Sequence, residues 1–149
     1  MTTIAYSAKH KMLAADRRIT LNGFNIGQIT KIARNKGVLA GAAGTGSLCH
    51  RFCAWVRLGC VGDPPLMGEG SGEERIEGIG VLFTKNDPEL AIEFSWAGLQ
   101  LSRAPFHAYG SGMELALGAM TAGATPEEAV YAAMQIDTRS GNGIDVLTL

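Results

Sequence analysis

Residue 2 of this 149-residue chain is a threonine directly behind Met1, and a small residue there favours removal of the methionine, which would leave a free α-amine on Thr2. A threonine hydroxyl alone is a weak nucleophile. An α-amine on the same residue, with a reference pKa of about 7.7–8.0, can serve as its base near neutral pH. A second candidate is Asp16, the sole carboxylate in the first 62 residues, followed directly by Arg17 and Arg18. An acid set among cations is expected to be paired and ionised. Cys49, His50 and Cys53 lie close together, with the two cysteines four residues apart. A metal could use them, but no second Cys/His cluster completes four ligands, so the thiols read as small buried hydrophobes and no metal is expected. The run from Gly41 to Gly46 has the spacing G-x-x-G-x-G, which is neither a phosphate loop nor the dinucleotide fingerprint, and no cofactor is expected.

The elements that must position these residues can be read coarsely. Residues 2–8 and 11–15 are two short strands around a Lys9-His10 turn, the second carrying the continuous apolar run of a buried strand. Residues 19–21 form a strand ahead of Asn22-Gly23, a strong turn dipeptide. Residues 29–33 and 38–42 read as a hairpin around 34–37. Leu48, Phe52, Trp55 and Val56 then recur at helical spacing, with Thr45 or Ser47 as N-cap and Gly59 as the stop. A Pro/Gly-rich loop occupies 63–72. Strands return at 79–84, 90–94 and 99–101. Gly110-Ser111-Gly112 opens a helix that stops at Gly123, and Thr125-Pro126-Glu127-Glu128 opens another that runs to about residue 136. Residues 144–149 close the chain as a strand. Runs of strands between runs of helices indicate α+β layers rather than a doubly wound sheet.

Composition narrows the partners. Thirteen basic and fourteen acidic residues leave a net charge of −1, so no bulk field favours nucleic acid or an anionic membrane. No apolar stretch approaches the length of a membrane helix, and no signal peptide is visible. Three cysteines in a chain that is not disulfide-dense suit a reducing compartment, and the expected location is cytoplasmic. Charge is uneven: residues 1–57 hold nine Lys/Arg and one acid, residues 58–149 four Lys/Arg and thirteen acids. Either the first half presents a basic face to an acidic partner, or the halves interleave and compensate. Twenty glycines are close to twice the usual share of roughly 7%.

Five blocks, in order, resemble the proteasome β subunits and the bacterial HslV peptidase. They are Thr2-Thr3-Ile4 with 13–20, Ile29-Thr30-Lys31-Ile32, the strand and glycine turn at 38–44, Gly110-Ser111-Gly112, and Asp137-Thr138-Arg139-Ser140-Gly141 with 143–146. Together they cover roughly half of the chain and reach both ends. The resemblance implies a four-layer αββα sandwich of the N-terminal-nucleophile hydrolase type, as one domain over 1–149. It implies peptide hydrolysis through an acyl-enzyme on Thr2, with the Thr2 amine as base. Lys31 would lie near the hydroxyl and favour its ionisation, and Asp16 would pair with Lys31. Ser111, Asp137 and Ser140 would orient the amine and relay protons. The Gly41 N–H would serve the oxyanion, and Ala42, Ala43 and Thr45 would sit at a specificity pocket. The implied partners are a peptide or unfolded protein as substrate and further copies of the chain in a ring; an ATP-dependent unfoldase stays open.

The chain departs from that pattern in the middle. The family follows its glycine turn with two long helices; here one helix is followed by the Pro/Gly loop, so 45–76 is expected to be shortened and the stacking of rings is in doubt. Two other readings remain: a non-catalytic assembly or shell subunit with the same fold, and a small-molecule amidase on the same scaffold.

Overall fold

The computed structural model describes residues 2–65 and 78–149. Its elements in chain order are β1 (Thr3–Ser7), β2 (Met12–Asp16), β3 (Arg18–Leu21), β4 (Phe24–Gln28), β5 (Ile32–Asn35), β6 (Val38–Gly44), α1 (Gly46–Arg57), β7 (Gly78–Thr84), β8 (Leu90–Ser95), β9 (Gly98–Arg103), β10 (Phe106–Gly110), α2 (Met113–Thr121), α3 (Pro126–Met134) and β11 (Ile144–Thr148). One sheet has the order β10-β1-β2-β11 and a second the order β5-β6-β7-β8-β9, while β3 and β4 form a separate ribbon. Every recorded pairing is antiparallel.

Three apolar layers follow from side-chain alternation. Ile4, Tyr6, Leu13 and Ala15 point between the sheets and meet Leu39, Val81 and Phe83 there. Ala5 and Ala14, on the other face of β1 and β2, meet Ala116, Met120, Ala129 and Val130 of α2 and α3. Ala40, Ala42 and Leu82 face outward from the second sheet onto Cys49, Phe52, Cys53 and Val56 of α1. The stack is therefore helices, sheet, sheet, helix. β1 is buried along its whole length, including the polar Thr3 and Ser7 at its ends.

Local signals explain most element ends. Asn22-Gly23 and Lys36-Gly37 both adopt positive φ at two successive residues, the requirement of a two-residue hairpin turn. The second turn is tighter than the expected 34–37 because β5 continues to Asn35, which pairs with Val38. Thr45, rather than Ser47, caps α1 by accepting from the Leu48 N–H. Thr125 and Glu128 close a full capping box on α3. Two strands were not anticipated, β4 and β10. Between α1 and β7 the described residues 58–65 contain no second helix, and the loop expected at 63–72 lies outside the described residues from 66 onward. No helix among the described residues is long and apolar enough to cross a membrane.

Gly80 shows how closely α1 rests on its sheet. A Cβ at this position would lie 2.4 Å from the Phe52 ring. Gly80→Val is expected to cost about 1–3 kcal/mol through overpacking, seen as a lower urea midpoint. An unchanged midpoint would show that α1 can lift from β7 freely.

Candidate active site

Asp16 ends β2 at zero exposure, and its carboxylate gathers four donors. Oδ1 accepts from the Thr3 N–H at 2.9 Å and from Lys31 Nζ at 2.9 Å. Oδ2 accepts from the Arg18 N–H at 3.0 Å and from the Gly141 N–H at 2.9 Å. Lys31 sits just before β5 with a side chain only 2% exposed, and its Nζ also donates to the Arg18 carbonyl at 2.7 Å. Burial pulls the Lys31 pKa below the ordinary lysine value, and the Asp16 carboxylate opposes that pull. The pair is a fixed buried ion pair, costly to break from either side.

Thr2 precedes β1 and is 1% exposed. Among the described residues its Oγ1 is buried with no hydrogen-bond partner. A buried hydroxyl without a partner costs free energy, which marks it as a group kept for something other than stability. Thr2 and Lys31 line the same small cavity of about 60 Å³, together with Thr20, Gly44, Thr45 and Cys49. A larger cleft of about 510 Å³ shares Thr2, Thr20, Gly44 and Thr45 with it and is lined further by Ala43, Ile79 and Gly110. That volume is in the range of small-ligand sites.

A second polar group lies on the far side of Thr2. Ser111, in the turn between β10 and α2, has its Oγ 2.5 Å from Asp137 Oδ2 and 3.4 Å from the Thr2 carbonyl oxygen. Ser140 Oγ donates to the same Asp137 oxygen at 2.6 Å. Burial works to raise the Asp137 pKa, but the hydrogen bonds from Ser111, Ser140 and the Arg139 N–H, with the Arg139 charge, outweigh it and leave the carboxyl below its ordinary value. A hydroxyl has one proton, and Ser111 and Ser140 each give theirs to Asp137. Their lone pairs remain as acceptors.

The structure thus brings Thr2, Asp16, Lys31, Ser111, Asp137 and Ser140 around the head of β1, and Ala43 and Thr45 to the cleft. Two positions need correction. Gly41 does not reach the cleft. It lies within β6, paired with Ile32 on one side and Val81 on the other, and a Cβ there would meet Ile4 at 3.1 Å. It is glycine to let the sheets approach. Ala42 faces α1, and its carbonyl accepts from Cys49 Sγ at 3.1 Å, so it is packing and no pocket wall. Gly44, three residues beyond Gly41, borders both cavities at φ +141°, a conformation that favours glycine. It was visible in the sequence as the end of the glycine turn, but the length of β6 was not. Burial pushes the Cys49 and Cys53 thiols up to about 11 and about 12, consistent with packing. Among the described residues no group of His, Cys, Asp or Glu is placed to hold a metal.

No protein-family model and no curated protein sequence matches the chain. Solved structures do. Eukaryotic HslV from Trypanosoma brucei superposes with a TM-score of 0.68 at 22% identity, covering 98% of this chain and 98% of that one. Thiobacillus denitrificans BPH in complex with epoxomicin gives a TM-score of 0.66 at 18% identity, covering 99% of this chain and 98% of that one. The chain has the N-terminal-nucleophile hydrolase fold of these proteins, the αββα sandwich expected from the five blocks.

Proposed function

We propose that this chain is a threonine-type peptide hydrolase whose nucleophile is Thr2, freed by removal of Met1. The observation that carries the reading is the buried Thr2 Oγ1, without a hydrogen-bond partner among the described residues, in a cavity shared with Lys31, whose charge is held by buried Asp16. The Thr2 amine takes the hydroxyl proton as Oγ1 attacks a peptide carbonyl in the cleft. The Lys31 cation favours the developing alkoxide. The Gly44 N–H, in place of Gly41, donates to the oxyanion. The proton on the amine passes to the leaving nitrogen as the C–N bond breaks, leaving an ester on Thr2. Water, deprotonated by the same amine, cleaves the ester and restores Thr2. Ser111 and Ser140, fixed by Asp137, offer acceptors that orient the amine.

Peptide or unfolded protein as the substrate class, and self-association as the working state, carry over from the resemblance of the five blocks to proteasome β subunits and HslV; the shared fold is compatible with both. Exposed Leu21, Phe24 and Ile26 on the β3–β4 ribbon fit a surface covered by another copy.

The test is intact-protein mass spectrometry after exposure to an epoxyketone such as epoxomicin. Such a compound carries two electrophilic carbons, which an adjacent hydroxyl and free amine can engage together. One adduct per Met-free chain, mapped to Thr2, is expected. A Met-free chain that takes no adduct and cleaves no peptide would sink the reading, and turnover of simple amides alone would favour an amidase.

The rate should be bell-shaped in pH. Its acid limb reports the Thr2 amine, which must be neutral to act as base; burial and the nearby Lys31 cation both favour the neutral form. Its alkaline limb reports Lys31, which is cationic below its pKa and loses its pull on the hydroxyl above it. Because burial lowers that pKa, the decline should begin below the ordinary lysine value of 10.5. A profile flat beyond that value would remove Lys31 from the mechanism.

A further inference from the structure

Thr3 is fully buried, and its two polar groups run to opposite halves of the site. Its N–H donates to Asp16 Oδ1 at 2.9 Å, the oxygen that also holds Lys31. Its Oγ1 lies 2.6 Å from Ser140 Oγ. Proton arithmetic gives the second bond a direction. The Asp137 carboxylate only accepts, so Ser140 spends its single proton there, and Thr3 is the donor to Ser140. Space for this hydroxyl is made by Gly112 at the head of α2, where a Cβ would fall 1.9 Å from Thr3 Oγ1. The backbone of Thr3 is fixed independently by pairing with Gly110.

We propose that Thr3 is a positioning residue for Thr2: its hydroxyl holds Ser140 in the rotamer that donates to Asp137, and Asp137 in turn holds Ser111 beside Thr2. The same residue ties this group through its N–H to Asp16 and Lys31, so the two halves of the site keep a common register. The proposal rests on the hydrolase reading for its kinetic consequence, but not for its geometry.

Two variants of the Met-free chain test it. Thr3→Val keeps the shape and loses the donor, whereas Thr3→Ser keeps the donor. Thr3→Val is expected to lower kcat by about tenfold, with KM held within about twofold; Thr3→Ser should stay within about twofold of wild type in both. The Asp137 carboxyl, followed by carbon-13 NMR, should titrate at higher pH in Thr3→Val, because a donor to its charged form is loosened, and unchanged in Thr3→Ser. A Thr3→Val chain with wild-type kcat and wild-type Asp137 titration would overturn the proposal, as would Thr3→Ser impaired as severely as Thr3→Val. Should the wild-type chain hydrolyse no peptide, the hydrolase reading falls and the Asp137 titration alone decides the role of Thr3.

Discussion

Thr2→Ala, prepared with Met1 removed, is expected to lose peptide turnover by about 10³-fold or more, because the attacking oxygen is gone and no other group replaces it. The same change should hardly touch folding. Thr2 Oγ1 has no partner among the described residues, so its deletion breaks no hydrogen bond and relieves a buried, unsatisfied hydroxyl. The lost methyl acts the other way, and the net change in unfolding free energy should be within about 1 kcal/mol. Thr2→Ser, which keeps hydroxyl and amine, should retain measurable turnover. A peptide-hydrolysis assay beside a urea titration reads both quantities. Wild-type turnover in Thr2→Ala would place the nucleophile elsewhere.

Lys31→Met should damage both function and stability. Methionine fills much of the same volume, but Asp16 would keep three backbone donors and lose the buried cation it pairs with. Removing one partner of a buried ion pair typically costs about 3–5 kcal/mol, since the surviving charge stays desolvated. Turnover should fall by about 10²-fold or more in conditions where circular dichroism still reports a native fold. The two readouts separate the roles. A variant that is destabilised but fully active would make the pair a structural strut; one that is inactive while stable would show that Asp16 is satisfied by backbone alone.

The residues that could be recognised in the sequence are those whose signal is local. The α3 start carried its whole cap in four consecutive residues, and Asp16 stood out because no other acid lay near it. β2 announced itself through an unbroken apolar run, which a strand shows only when both faces are covered. β10 escaped because Phe106–Gly110 earns its place by pairing with β1, about a hundred residues earlier. β4 escaped because it is only five residues long, with a glycine inside it, and lies mostly exposed in a two-stranded ribbon rather than against a core. β5 begins three residues later than expected, since the Ile29 N–H is taken by the Arg17 carbonyl and Lys31 turns inward to Asp16. Gly41 and Gly44 illustrate the limit for the site. Both are glycines at the end of an apolar run, and only the third dimension shows that one accommodates Ile4 while the other borders the cleft. Thr3 was legible only as a neighbour of Thr2; its partners Ser140 and Asp16 converge on it from both ends of the chain.

That convergence has a consequence for the newborn polypeptide. Asp16 is complete only when Gly141 donates to it, and Ser111 is held only when Asp137 arrives. Synthesis proceeds from the N-terminus at roughly 5–20 residues per second, so Thr2 emerges well before the segment 137–141 that must brace it. During that interval the would-be nucleophile has neither its oriented amine nor a finished carboxylate beneath its lysine. Under the proposed function, the site would become competent only once 137–141 is in place and β11 zips onto β2.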